Sequence, residues 1–169
     1  MMKKHLYTRE EKLKWFGEGE WCDETDEMNF EWADMQCKIV RICQDEYPND
    51  NYKFGGYLCG YVKIPEYHPL YNNQNAFDLD FDVHGGITFN EFYLDTKDWY
   101  IGFDCAHSTD VIPSMIDIRK KINEEMKEKH PKIFESYPNC AIFNSSYKTV
   151  DFVIEECKKL AEQLYLIKV

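Results

Sequence analysis

Aspartate and histidine residues alternate with apolar residues in the segment Phe77-Asp78-Leu79-Asp80-Phe81-Asp82-Val83-His84. Because successive side chains of a strand point to opposite faces, this pattern predicts a strand over 77–84 with one polar face. That face ends in Asp82 and His84, a carboxylate and an imidazole that can hydrogen-bond a ligand or bind a metal ion. Two glycines follow, Gly85-Gly86, and they allow the backbone to approach a ligand closely.

A second polar group follows the apolar segment 98–105, which also predicts a strand. Asp104 lies on the strand face opposite the apolar residues, and His107 and Asp110 come directly after the strand end. Loops at the ends of strands often carry binding and catalytic residues. If the two predicted strands are neighbours, we expect four side chains to line one shared hollow: Asp82, His84, Asp104 and His107.

This arrangement is compatible with two kinds of chemistry. In the first, the hollow binds a small polar molecule through hydrogen bonds, and no cofactor is required. In the second, His84 and His107 bind a divalent metal ion, and Asp82 or Asp104 is the general base that activates a metal-bound water. A third histidine, His68, lies in a predicted loop from which it can reach the same hollow.

Other familiar catalytic patterns are absent from the sequence. It contains no GxxxxGK(S/T) or GxGxxG motif, which argues against a P-loop ATPase and against a Rossmann-type dinucleotide enzyme. The seven cysteines include no CxxC pair, which argues against a structural zinc site. Cys59 and Cys105 lie in apolar strands, where burial raises rather than lowers the pKa of a thiol.

The size and charge of the chain limit its partners. Its length fits a single domain over residues 1–169, and 20 lysines and arginines against 31 aspartates and glutamates give a formal net charge of −11. Without a basic stripe, such a protein is not expected to bind a DNA or RNA polymer. No apolar stretch approaches the ~20 residues of a membrane span, and no secretory signal is visible. We therefore expect a cytoplasmic protein, and a homo-oligomer is compatible with the sequence.

The pattern of elements predicts an α+β fold. A capping box that begins at Thr8 predicts a helix over 8–16. Period-two patterns over 28–110 predict about five or six strands, and their consecutive order favours a mostly antiparallel sheet. Helical periodicity then predicts helices over 114–130 and 149–166, of which the C-terminal helix has the clearer apolar stripe. We expect the helices to pack on one face of the sheet.

Tyrosines crowd the middle of the chain, at positions 52, 57, 61, 67, 71, 93 and 100. Most of them must belong to the core, because aromatic side chains bury a large apolar area. A few that lie near polar groups could stack on a flat ligand such as a nucleobase.

Five blocks of the sequence carry a resemblance to known proteins. They are Trp21-x-Asp23-Glu24-x-Asp26, Leu58-Cys59-Gly60-Tyr61-Val62-x-Ile64-Pro65-x-x-His68-Pro69, Asp82-Val83-His84-Gly85-Gly86-Ile87-Thr88-Phe89, Gly102-Phe103-Asp104-Cys105-Ala106-His107 and the closing segment 147–164. In this order they resemble a family of small proteins encoded in bacterial genomes and often in phages. The resemblance implies a shared set of polar residues: Tyr61, His68, Asp82, His84, Thr88, Asp104 and His107. The phage setting implies a host-takeover or counter-defence role in the host cytoplasm.

The residues and the resemblance together predict a binding protein. We expect it to sequester a small polar or nucleotide-like signalling molecule, with Asp110 added to the seven shared residues as a ligand-binding group. The alternative is a metal-assisted hydrolase, in which Asp82 and Asp104 are catalytic and His84 and His107 are metal ligands.

Overall fold

The computed structural model describes residues 6–44, 54–94, 96–136 and 145–167. One antiparallel sheet has the strand order β1-β2-β3-β5-β4 and consists of β1 Glu27–Trp32, β2 Met35–Gln44, β3 Phe54–Ile64, β4 Phe89–Phe92 and β5 Trp99–Asp104. The helices are α1 Arg9–Phe16, α2 Ile116–Lys129, α3 Pro131–Ser136 and α4 Val150–Leu166. The predicted α+β fold with an antiparallel sheet is confirmed.

Two helices begin where their capping residues predict. The Thr8 hydroxyl accepts the N–H of Glu11, and the Glu11 carboxylate accepts the N–H of Thr8, which completes the capping box of α1. The Thr149 hydroxyl accepts the N–H of Phe152 at the start of α4. These bonds satisfy N–H groups that a helix cannot satisfy internally.

Helix α4 packs against β2 and β3 and covers one face of the sheet. Its apolar side chains recur every three or four positions and are buried: Val150, Val153, Cys157, Leu160, Ala161 and Leu164. Gly60 of β3 lies where helix and sheet are closest. A Cβ atom at this position would lie 2.5 Å from the Phe103 ring and 2.6 Å from Cys157 Sγ. We call this the closed face.

The opposite face of the sheet carries aromatic side chains, and we call it the aromatic face. The ring of Tyr61 meets those of Phe89 and Tyr93 edge to face, with centroids 5.2 and 5.4 Å apart. Gly102 of β5 pairs with Tyr61 in the sheet, and a Cβ atom there would lie 2.6 Å from the tyrosine ring. The absence of a side chain at Gly102 therefore allows the ring of Tyr61, which belongs to β3, to lie over β5.

Helix α2 is more exposed than the sequence predicts. A 3₁₀ turn over Pro113–Met115 precedes it, and none of its residues is buried among the residues that the structure describes. Ile118 and Ile122 of its apolar stripe are 38% and 49% exposed. Among the described helices, none is long and apolar enough to cross a bilayer.

The predicted strand over 77–84 is wrong. Residues Gln74–Asp78 form a 3₁₀ helix instead, and the Asn73 side chain caps it by accepting the N–H of Asn75. An asparagine that bonds the backbone two residues later favours a turn over a strand. The apolar side chains at the start of the segment, Phe77 and Leu79, are consequently 50% and 42% exposed.

The second half of this segment runs along α4 rather than along another strand. The N–H of Asp82 donates to the Gln163 side chain at 2.8 Å, and the N–H of His84 donates to Glu156 at 2.7 Å. Two apolar side chains point inward and are buried, namely Phe81 and Val83. The alternating pattern therefore indicated burial correctly for Phe81 and Val83 but not for Phe77 and Leu79, and it assigned the wrong hydrogen-bond partner.

Candidate functional site

The structure brings His84, His107 and Asp110 into contact, and we call them the His-Asp cluster. The two imidazole rings meet edge to face with centroids 5.2 Å apart. His84 Nε2 lies 3.0 and 2.9 Å from the two carboxylate oxygens of Asp110, and His107 Nδ1 lies 3.2 Å from one of them. One nitrogen or oxygen atom of each residue lies within 4.8 Å of the other two, so all three can approach one ion.

Asp110 is held by the turn that follows β5. Its carboxylate accepts the N–H of His107 at 2.9 Å, and its own N–H donates to the His107 carbonyl at 2.9 Å. Arg119 donates to the Asp110 carbonyl, and Asp110 also forms a parallel bridge with Ser146. The main chain of the turn therefore fixes the direction of the carboxylate.

The two histidines are positioned by α4 and by a glycine. The ring of His84 packs edge to face against Phe152, with centroids 5.3 Å apart, while Glu156 holds its N–H. The ring of His107 lies against Gly85, where an added Cβ atom would lie 2.0 Å from the imidazole Cε1. This glycine, which the sequence suggested would approach a ligand, makes room for the second histidine.

The His-Asp cluster is largely buried, so the charge of Asp110 must be compensated within the protein. Asp110 has no exposed surface, and a buried carboxylate requires charge or hydrogen-bond compensation. Besides the imidazoles, the Lys148 ammonium lies 3.8 Å from the carboxylate. The side chains of His84 and His107 are 15% and 30% exposed, so the cluster is open to solvent on the His107 side. Imidazole nitrogens and a carboxylate oxygen are a donor set for a transition-metal ion.

A cavity of about 510 Å³ lies on the aromatic face. Its walls are mainly aromatic and aliphatic, and they include Val40, Ile42, Tyr57, Tyr61, Phe89 and Tyr93. Pockets of this volume, with apolar walls and a few polar groups, are typical of small-molecule sites.

Two carboxylates of the cavity wall are already neutralised by cations. Asp26 lies 2.7 Å from Arg41 Nε and 2.8 Å from Lys12 Nζ. Glu27 lies 2.6 Å from Lys38 Nζ. These ion pairs connect the N-terminal helix and β1 to β2. Both carboxylates therefore already have cationic partners within the protein and are not available to neutralise a ligand.

In the described part of the chain, Glu91 and Asp104 are the other two carboxylates of the cavity wall. Among the described residues, no lysine or arginine approaches either of them within 4.0 Å, and Asp104 lies 3.9 Å from His107 Nδ1. One oxygen of Asp104 accepts the N–H of Ala106 at 2.9 Å. The cavity therefore presents negative charge to a ligand.

Burial keeps three tyrosine hydroxyls and one thiol of the cavity wall protonated at neutral pH. It raises the pKa of Tyr93 to about 12 and the pKa of Cys59 to about 12. The pKa values of Tyr57 and Tyr61 are also raised, mainly by burial. These groups can stack and hydrogen-bond, but none of them is an activated nucleophile.

The thiol of Cys105, outside the cavity, is also buried. Burial raises the pKa of Cys105, so the prediction that Cys59 and Cys105 are not activated is confirmed. The six described cysteines are free, and Cys140 lies outside the described residues.

The residues predicted to bind a ligand occupy different places. Three line the cavity, namely Tyr61, Thr88 and Asp104. Three form the His-Asp cluster, namely His84, His107 and Asp110. Asp104 stands between the two groups because it lines the cavity and lies 3.9 Å from His107 Nδ1.

Asp82 and His68 lie elsewhere. Asp82 is exposed, and its backbone bonds Gln163, which is two turns of α4 beyond the position that holds His84. It does not join the cluster because the strand that would have placed it there does not form. His68 is buried; its Nδ1 accepts the N–H of Leu70, and its Nε2 donates to the Leu164 carbonyl at 3.0 Å. The Nδ1 bond lies within the loop of His68, and the Nε2 bond fastens that loop to the end of α4.

Glu91 and Lys148 were not identified by the sequence. Glu91 is two residues after Phe89 on β4, so the period-two pattern could have placed it beside the aromatic wall. Lys148 comes next to Asp110 through pairing of distant segments, and no local pattern indicates that contact.

Comparisons of the chain with protein-family models, with curated protein sequences and with solved structures found no match. The functional interpretation therefore depends on the geometry of the cavity and of the cluster.

Proposed function

We propose that the protein binds a small, flat, polar molecule, such as a nucleobase-containing compound, in the cavity on the aromatic face. The observation that carries this proposal is the combination of tyrosine walls with Glu91 and Asp104 in one cavity. Aromatic rings stack on a base, and carboxylates accept hydrogen bonds from its amino groups. A ligand that is neutral or positively charged and rich in N–H donors fits these walls best.

The charges of the cavity oppose binding through a phosphate group. Among the described residues of the cavity wall, Arg41 is the one arginine, and its guanidinium has no exposed surface because it already bonds Asp26, Glu24 and Tyr147. The net charge of −11 repels anions further. A nucleotide would therefore enter with its base first and leave its phosphate towards solvent.

Sequestration is the activity that this arrangement supports. The hydroxyl and thiol groups of the walls remain protonated because burial raises their pKa values, so the cavity supplies stacking surfaces and acceptors rather than a nucleophile. In the phage-type setting that the sequence blocks imply, such a protein would withdraw a signalling molecule of the host as a counter-defence.

Calorimetric titration tests the proposal with four nucleosides, namely adenosine, guanosine, cytidine and uridine, each beside its monophosphate and its cyclic monophosphate. We expect at least one nucleoside to bind one molecule per chain, and its phosphorylated forms to bind no more tightly. Absence of binding by every member of the panel would overturn the proposal.

A matched pair of variants locates the binding site. Asp104→Asn keeps the side-chain oxygen that accepts the Ala106 N–H but removes the charge, and it should weaken binding at least about tenfold. Asp82→Asn makes the same change at an exposed position outside the cavity, and it should leave the affinity unchanged. Equal weakening in both variants would show that overall charge, rather than the cavity, determines binding.

A further inference from the structure

The His-Asp cluster has the features of a second site. We propose that His84, His107 and Asp110 bind one divalent transition-metal ion of the zinc class. This inference is independent of the ligand proposed for the cavity.

The distances in the cluster are close to those of a zinc site. With metal–ligand bonds of about 2.0–2.2 Å, neighbouring ligand atoms of a tetrahedral site are roughly 3.3–3.5 Å apart. Here one Asp110 oxygen lies 2.9 Å from His84 Nε2 and 3.2 Å from His107 Nδ1. These two edges need an outward shift of only a few tenths of an ångström, and one ligand atom of each of the three residues lies within 4.8 Å of the other two.

The charge of Asp110 favours a bound cation. Its carboxylate is wholly buried, and the Lys148 ammonium lies 3.8 Å away, beyond hydrogen-bond distance. A divalent ion between the carboxylate and the imidazoles would compensate the buried charge. Two nitrogen donors and one oxygen donor favour zinc and its neighbours over calcium or magnesium, which prefer oxygen ligands.

The surroundings hold the three side chains in place. Phe152 packs against the ring of His84, Gly85 leaves space for the ring of His107, and the turn fixes Asp110 through its backbone. Contacts that orient metal ligands increase metal affinity. The partly exposed His107 gives the ion a route of entry and leaves a fourth position for water.

The competing explanation is a purely structural hydrogen-bond cluster that joins the segment before Gly85 to the turn after β5. The two explanations differ in what divalent ions do. A metal site binds Zn²⁺ once per chain through these histidines, whereas a structural cluster leaves Zn²⁺ to scattered surface groups.

The experiment is a calorimetric titration of tag-free, chelator-stripped protein with ZnCl₂, beside MgCl₂. We expect one Zn²⁺ per chain, a rise in melting temperature, and no comparable binding of Mg²⁺. Failure of Zn²⁺ to saturate at one ion per chain would overturn the proposal, whatever the nucleoside titrations show.

Histidine variants assign the ligands. His107→Ala removes a partly exposed side chain and should weaken Zn²⁺ binding at least about tenfold, as should His84→Gln. His130→Ala removes an exposed histidine at the end of α2 and should leave binding unchanged. Circular dichroism and urea midpoints verify that each variant is folded. Unchanged Zn²⁺ affinity in folded His107→Ala would overturn the assignment.

Substitution with Co²⁺ separates the cluster from the free thiols. The six described cysteines are free, and thiolates also bind zinc. Nitrogen and oxygen ligation gives the visible bands of tetrahedral Co²⁺ without the near-ultraviolet band of a cobalt–thiolate bond. A thiolate band at one bound ion per chain would place the metal on cysteine and contradict the proposal.

Discussion

The two faces of the sheet are built from the same strands but are closed in different ways. On the closed face, α4 lies so near the sheet that Gly60 has no room for a methyl group. On the aromatic face, rings such as Tyr61 and Tyr93 contact one another and leave a cavity of about 510 Å³. The comparison teaches that packing against α4 and lining of the cavity are divided between alternate residues of β3 and β5.

This division has a physical origin in the period of a strand. Leu58 and Val62 of β3 are fully buried on the closed face, whereas Cys59 and Tyr61 belong to the aromatic face. Aliphatic side chains interdigitate with a helix, and large rings that meet edge to face leave gaps between them. Changes on the closed face should therefore affect unfolding, and changes on the aromatic face should affect ligands first.

The largest loss of stability is expected from the buried ion pairs of Arg41, which connect β2 to the start of α4. Arg41 bonds Asp26 and Glu24, and Glu24 also accepts the first N–H of α4. Arg41→Ala would remove the buried guanidinium that neutralises Glu24 and shares Asp26 with Lys12, and it should lower the free energy of unfolding by about 3–5 kcal/mol in urea titrations. Arg9→Ala, which breaks exposed ion pairs, should leave the urea midpoint nearly unchanged. Similar losses in both variants would show that burial of the Arg41 ion pairs adds nothing to their strength.

A smaller loss is expected from overpacking the closed face. Gly60→Ala should destabilise the protein by about 1–3 kcal/mol, because its methyl group meets Phe103 and Cys157. The same substitution in a Phe103→Leu background should cost less, since the shorter side chain releases part of the contact. If the two changes add without coupling in urea unfolding, the proposed clash does not exist.

The tyrosines of the aromatic face predict sensitivity to alkali. The pKa of Tyr93 is raised from 10.0 to about 12, so the folded state retains a proton that the unfolded chain loses. Stability is then complete below pH 10.0 and falls as the pH rises towards 12, by up to ~1.4 kcal/mol per pH unit for this group.

Urea unfolding at several alkaline pH values measures this effect. Tyr93→Phe should flatten the loss of stability above pH 10.0 relative to the wild-type protein. Tyr165→Phe, at a position that is 52% exposed, serves as the control and should leave the slope unchanged. Equal slopes in wild type and Tyr93→Phe would show that burial of this ring does not affect its titration.

The smallest effect is expected in α2, which contributes to neither face. Ile122 is 49% exposed, so Ile122→Lys should change the free energy of unfolding by no more than about 0.5 kcal/mol. Urea unfolding of this variant tests the prediction. A loss above about 1 kcal/mol would show that α2 packs against one face of the sheet.

The fold was predictable where one local pattern sufficed. The capping box of α1 and the apolar stripe of α4 each depend on neighbouring residues, and both helices form. The strand predicted over 77–84 is wrong because alternation does not show what bonds the backbone, and the 3₁₀ helix at its start leaves Phe77 and Leu79 exposed. There, side chains of α4 replaced a strand partner.

The site was predictable to a similar extent. The predicted proximity of His84 and His107 assumed that two strands pair; one of these strands does not form, yet the two rings meet because α4 holds the backbone of His84 beside the turn after β5. The cavity could not be derived, because its walls come from separate strands whose register depends on the whole sheet. The cation near Asp110, Lys148, also depends on a contact between segments that are distant in sequence.

The attachment of residues 81–84 to α4 has a consequence for local opening of the backbone. The amides of Asp82 and His84 are held one at a time by side chains, whereas those of β5 belong to a ladder between two neighbours. Amide hydrogens held in this way exchange with deuterium through brief local detachment, and those of a central strand exchange only when the whole domain opens. We therefore expect the amide hydrogen of His84 to exchange with deuterium faster than the amide hydrogens of β5.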